Sequence, residues 1–121
     1  MTVAEAITRI DRLRPNQYTS AEKTAWLSAL DGQIFAEIIM THRDADRTEF
    51  EAYTDTTAEL LVPAPYDEEL YTDYLMMQVD KANAEFGKYD QSAVLFNNAL
   101  LGFRNHYNRT HMPVGAGGFR W

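Results

Sequence analysis

Two stretches in the second half of the chain carry one repeated pattern. Tyr71, Tyr74, Leu75, Gln78, Val79, Ala82 and Phe86 fall at relative positions 0, 3, 4, 7, 8, 11 and 15, and Ser92, Leu95, Phe96, Ala99, Leu100, Phe103 and Tyr107 repeat that spacing. The spacing gathers each set on one side of an α-helix, and it predicts helices over 66–86 and 90–108. Gly87, between them, is the expected left-handed C-cap. Pro65 and the acids Asp67, Glu68 and Glu69 suit the first turn of the earlier helix, where proline loses no hydrogen bond and negative charge meets the positive end of the dipole.

The first half opens with two capping signals. Thr2 with Glu5, and Thr19 with Glu22, match the box in which each side chain satisfies a free amide of the first turn. Val3, Ile7, Ile10 and Leu13 mark the buried face of a first helix over 3–14, which Pro15 ends by pushing its predecessor out of helical geometry. Trp26, Leu27, Leu30, Ile34 and Ile38, widened by Phe35 and Ile39, mark a second helix over 20–42. Gly32 lies inside it, at a cost of about 1 kcal/mol relative to alanine.

Between 43 and 65 the helical period disappears, with Phe50, Tyr53 and Leu60-Leu61-Val62 as the apolar anchors. A long loop without structure is uncommon in a compact domain. A short strand or hairpin is expected there, or an excursion that becomes ordered against a partner. The whole reads as all-α: a small four-helix bundle over 1–111, an irregular or hairpin excursion between helices two and three, and an extended C-terminal arm over 112–121. At 121 residues the chain suits one domain that needs no staple. The absence of cysteine excludes disulfides, thiol nucleophiles and thiolate-bound zinc. No signal-peptide pattern opens the sequence and no apolar run reaches a membrane span of about 20 residues, so a soluble chain is expected.

Charge divides the chain. Residues 1–47 carry a net charge of -1, residues 48–90 carry -9 and residues 91–121 carry +3. The total of -7 argues against a protein that grips nucleic acid, since that affinity comes from Lys and Arg neutralising phosphates. An acidic middle and a basic end attract each other between neighbouring copies, or else form a plain solvated surface.

The chemical constellations are thin. No Glu-x-x-His pair of the di-iron type occurs, and His42, His106 and His111 read as surface or helix-end residues. There is no Gly-x-Ser-x-Gly, and Gly115-Ala116-Gly117-Gly118 lacks the Gly-Lys-Ser/Thr end of a phosphate loop. Asp67, Glu68, Glu69 and Asp73 suit a helix start better than acid–base chemistry. Gln78, Asp80, Asn83, Asn97 and Asn105 are expected to pair across the helical hairpin and set its register, or to serve an interface. No catalytic residue, cofactor or metal is expected. After Pro113 come small residues and then Phe119-Arg120-Trp121, residue types favoured as interface anchors. Such an arm folds back on its own domain, docks on a neighbouring subunit or partner, or stays unordered. The candidate contact residues are Arg104, Arg109, Phe119, Arg120 and Trp121 at the basic end, with Phe50 and Tyr53 in the excursion.

Arg14-Pro15-Asn16-Gln17-Tyr18 before a capped helix, Trp26-Leu27-Ser28-Ala29-Leu30-Asp31-Gly32, the run from Glu59 to Tyr66 and Tyr107-Asn108-Arg109-Thr110-His111-Met112-Pro113 together resemble the head–tail connector (adaptor, head-completion) proteins of tailed phages and prophages. The resemblance spans nearly the whole chain and rests on turns and caps. It implies a non-enzymatic all-α subunit, found in the virion neck and in the host cytoplasm during assembly. Such subunits form a closed ring beneath the portal, bridge it to neck or tail proteins, and let DNA pass through the lumen without specific binding. A small helical module that captures a peptide beside the third helix is the other reading; it expects Tyr71, Tyr74 and Phe86 to be partly exposed.

Overall fold

Thr2 and Glu5 form the expected reciprocal cap, the Glu5 amide donating to Thr2 Oγ1 at 3.2 Å and the Thr2 amide to Glu5 Oε1 at 2.9 Å. This starts α1, Val3–Leu13, in a computed structural model that describes residues 1–41 and 49–111. Arg14 closes α1 by donating its amide to Ile10 O, directly before Pro15. A second capping box on Thr19 and Glu22 starts α2, Ser20–Ile34. Then come α3, Asp67–Ala82, and α4, Phe86–Thr110. The described residues form an all-α bundle of four helices without strands.

Three helix boundaries differ from the periodicity. The second helix does not run on as α-helix to 42: it passes into a π-helical turn, Phe35–Ile39, in which the Met40 amide reaches back five residues to Phe35 O at 2.8 Å. The extra residue rotates the downstream face, and Ile34, Ile38 and Ile39 are all buried. The hairpin turn falls earlier than expected, and Gly87 is not the cap. The Glu85 amide donates to Asp80 O at 2.9 Å and the Ala84 amide to Lys81 O at 3.1 Å, the paired bonds of a Schellman motif. Ala84 therefore occupies the left-handed position, at φ 58°, and Gly87 is the second residue of α4. An L-residue with a Cβ is strained there. Ala84→Gly is expected to raise stability by about 0.5–1 kcal/mol, read as a higher urea midpoint at unchanged slope.

The core draws on every element. Val3, Ala6, Ile7 and Ile10 of α1 meet Leu27, Leu30 and Ile34 of α2, Leu70, Tyr71 and Leu75 of α3, and Phe96, Phe103 and Tyr107 of α4. Helices α3 and α4 pack antiparallel, shown by the ring contacts Tyr74–Phe96 at 5.2 Å and Tyr66–Phe103 at 6.3 Å. Some stripe positions miss the core: Leu13, Phe86 and Leu95 are exposed. Phe86 falls outside because the turn ends before it, and Leu95 because α4 turns Ser92, Phe96, Phe103 and Tyr107 inward.

The excursion forms no hairpin over its described part. Residues 49–66 run as an irregular strap over the start of α1, with a single antiparallel bridge between Thr2 and Glu59. The Val3 amide donates to Ala58 O at 3.0 Å and the Ala4 amide to Thr56 O at 2.9 Å. The strap thereby satisfies two of the orphan donors that every helix N-terminus exposes. Leu60 and Val62 of the strap are buried in the core. Its order comes from its own domain.

Candidate partner interface

Helix α4 lies at the edge of the bundle, packed along α3 and touching the π-helical turn. Its outer side is unusually apolar for a water-facing surface: Val94 is 59% exposed, Leu95 53%, Leu101 53%, and Phe86, at the helix start, 66%. From Gln91 to His111 the sequence contains no acid. Arg104 and Arg109 are both exposed here, and neither has an acidic partner among the described residues. Arg109 sits in the last turn, where a cation complements the negative end of the helix.

Arg104 also rims a groove of about 240 Å³ between the end of α2, α3 and α4. Its floor is Ile34, Ile38, Tyr74, Met77, Phe96 and Leu100, and its rim adds Gln33, Glu37, Gln78 and Lys81. Tyr74 is half-buried there, and burial together with the Asp31 charge raises its phenol above the ordinary value near 10. At the far end of α4, Tyr107 is buried and its ring lies flat on His111 at 3.8 Å, while His106 meets Tyr66 at 4.8 Å with the rings tilted by 36°. A second, smaller cavity of about 120 Å³ opens beside them, against Leu61 and Pro63. Phe119, Arg120 and Trp121, with the rest of 112–121, lie outside the described residues, as does His42.

Phe50 and Tyr53 turn inward. The Phe50 ring packs on Phe35 at 6.0 Å and edge-on to Tyr53 at 5.4 Å, and a Cβ at Gly32 would stand 3.6 Å from it. That distance is an ordinary van der Waals contact, so the strap packs directly on α2 at this position. Tyr53 donates its hydroxyl to Asp31 Oδ2 at 2.5 Å and its amide to Ser28 Oγ at 3.1 Å. Asp31 is fully buried and also accepts from the Tyr71 hydroxyl at 2.7 Å and the Leu61 amide at 3.0 Å. The Val62 amide in turn donates to Tyr71 Oη at 2.9 Å. Burial, then the Asp31 charge, pushes the Tyr71 phenol well above 10, so it stays protonated and remains a donor at any ordinary pH.

A second buried carboxylate joins the other end of the molecule. Asp80, also fully buried, takes an ion pair from Arg14 at the end of α1 and a hydrogen bond from Ser92 Oγ of α4 at 2.8 Å. The Arg14 guanidinium also rests on Met76 Sδ at 3.9 Å. The expected pairing across the hairpin is thus made by Asp80 with Ser92. Asn83 instead accepts from the Tyr18 hydroxyl at 2.6 Å, while Asn97 and Asn105 face outward. Neither Asp31 nor Arg14 stood out as a candidate site residue. The available signal for Asp31 was its place on the apolar face, four residues after Leu27 and three before Ile34.

The acidic start of α3 is split by its surroundings. Asp67 is buried, accepts the Glu68 amide at 2.8 Å and pairs with the Met1 ammonium at 3.4 Å. Asp73 has its carboxyl raised above the ordinary value by burial and then by the Glu69 charge. A native pKa above the unfolded one makes the ionised group a net cost at neutral pH, and that cost disappears as acid protonates it in both states. Asp73→Asn should therefore be modestly more stable than the parent at pH 7. The difference should shrink as pH falls through the raised native value and then below 3.8, in paired urea titrations. Among the described residues no three His, Asp or Glu side chains are grouped to hold a metal ion, and no helix is long and apolar enough to cross a membrane.

Comparison of the chain with family models, with curated proteins and with solved structures finds no match.

Proposed function

We propose that this chain is a structural virion-assembly protein, a ring-forming head–tail connector that joins the portal of a DNA-filled capsid to neck or tail proteins. The reading starts from the resemblance of its turns and caps to that family. The observation that carries it is the asymmetry of the surface: an outer side of α4 with exposed Val94, Leu95 and Leu101 and with Arg104 and Arg109, which have no acidic partner among the described residues, and an acidic surface along the strap and the start of α3. Closing a ring requires two different surfaces on each subunit, and opposite charge favours their encounter. The strap and both buried carboxylates serve to hold the frame that presents these surfaces. The net charge of -7 suits a conduit through which DNA slides without adhering. On this reading the chain acts without cofactor, in the neck of the virion and, before assembly, in the host cytoplasm.

The test is mass measurement and negative-stain imaging of the purified chain with and without a portal protein. Rings on the portal are expected, weakened when residues 112–121 are removed. A chain that stays monomeric at high concentration and does not bind portal rules the reading out.

A second reading, a small module that captures a peptide, draws on the groove between α2, α3 and α4. Of the three aromatics it needs, Tyr71 is fully buried, whereas Tyr74 lines the groove and Phe86 is exposed. Lys81→Glu with Arg104→Glu would abolish peptide capture under this reading.

A further inference from the structure

The outer side of α4, which the ring reading takes as one of its two surfaces, also carries a sequence repeat of its own. Gln91, Asn98 and Asn105 recur every seven residues, and Val94 and Leu101 fall three residues after the first two. That is a heptad seam of amides at one seam position and aliphatic residues at the other. All five side chains are exposed, and the three amides make no hydrogen bond among the described residues. Leu95 flanks the seam, exposed as well. On the other flank, fourteen residues apart, stand Asp90 and Arg104, both exposed and neither in an ion pair among the described residues.

We infer that this face binds a second copy of the chain, α4 against α4, antiparallel about a two-fold axis near residue 96. The pattern is self-complementary in that register. Val94 lies opposite the other copy's Asn98, and Leu101 opposite its Gln91. Leu95 meets its own copy, and Asp90 faces Arg104 twice by symmetry. Pairing in parallel loses this match, because it sets Arg104 beside the other copy's Arg109 and leaves Asp90 beside Leu95; like charges placed together oppose association. Antiparallel helices also place each dipole end against its opposite. Three of the five seam side chains are polar, so the contact is a concentration-dependent one of the small, wet class.

This dimer does not rest on the ring reading. A ring of more than two subunits closes through heterologous contacts, whereas an isologous contact pairs two copies and stops. The α4 dimer is a form of the chain outside such a ring.

Sedimentation velocity of the full chain across a wide concentration range, without portal, should show monomer passing to dimer. Leu101→Glu should raise the dissociation constant at least tenfold, about 1.4 kcal/mol. Arg104→Asp should weaken the dimer, and adding Asp90→Arg should restore it, with circular dichroism and urea unfolding confirming that each variant folds. The chain has no cysteine, so Leu95→Cys under mild oxidation should give a disulfide-linked dimer readily in the antiparallel register. A parent chain that is monomeric throughout overturns the inference, and so does Leu101→Glu that dimerises unchanged. Failure of the Leu95→Cys link, or of the charge reversal to restore association, overturns it too. Portal binding by a chain that shows none of these effects would leave the proposed function standing alone.

Discussion

Asp31→Ala is expected to destabilise the protein by about 3–5 kcal/mol, the range for stripping one partner from a buried charged network. Among the described residues the Tyr53 and Tyr71 hydroxyls and the Leu61 amide converge on this carboxylate, and each loses this acceptor. A buried donor left unsatisfied costs about 1–3 kcal/mol. The Tyr71 hydroxyl, fully enclosed, has no route to water. The loss should concentrate in the strap: amide exchange at Leu61 and Val62 should accelerate more than at the Leu27 and Leu30 amides of α2. Tyr53→Phe and Tyr71→Phe should each cost less, about 1–2 kcal/mol, because Asp31 keeps its other donors. A double-mutant cycle between either tyrosine and Asp31 should then show strong coupling, since the groups share one acceptor. Equal exchange rates throughout, with a small loss of stability, would refute the anchoring role.

Arg14→Met should cost about 3–5 kcal/mol for a different reason: it strands Asp80, which is wholly buried, with Ser92 as its remaining donor among the described residues. The informative companion is the double variant Arg14→Met with Asp80→Leu. Replacing a buried ion pair by apolar groups of similar volume is often neutral or better, so the double variant should regain most of what the single one lost. Ser92→Ala should cost about 1 kcal/mol. The pair ties the end of α1 to the end of α3 and, through Ser92, to α4. Its value is then one of register: the single variant should lose helical-hairpin packing at the Tyr74–Phe96 contact, visible as altered near-ultraviolet circular dichroism.

These two carboxylates show where reading the chain in order stops working. Asp31 meets partners 22, 30 and 40 residues away, and Asp80 meets Arg14 66 residues away. Nothing local announces a pairing at that separation, and an aspartate on an apolar face looks like a misplaced polar residue until its donors are in view. Phe50 and Tyr53 were legible as anchors. That they anchor the strap to α2 became visible once Gly32 and Asp31 were seen beneath them. The same holds for α4: two amphipathic stripes of equal spacing leave open which edge of the stripe is innermost, and the turn geometry at Ala84 settles it by starting α4 at Phe86.

The elements themselves were readable because their determinants are close in sequence. A capping box needs residues three apart, a helical stripe repeats within a turn, and proline acts on its neighbour; so both caps, the end of α1 and the all-α class all follow from the chain read in order. Folding alone decided the features that depend on distant groups: the π-helical turn that buries both Ile38 and Ile39, the strap closing over the first turn of α1, the two buried carboxylates, and the outward side of α4. Each is fixed by competition for the core's volume and for buried hydrogen-bond partners, which are shared among all four helices and belong to no single stretch of sequence.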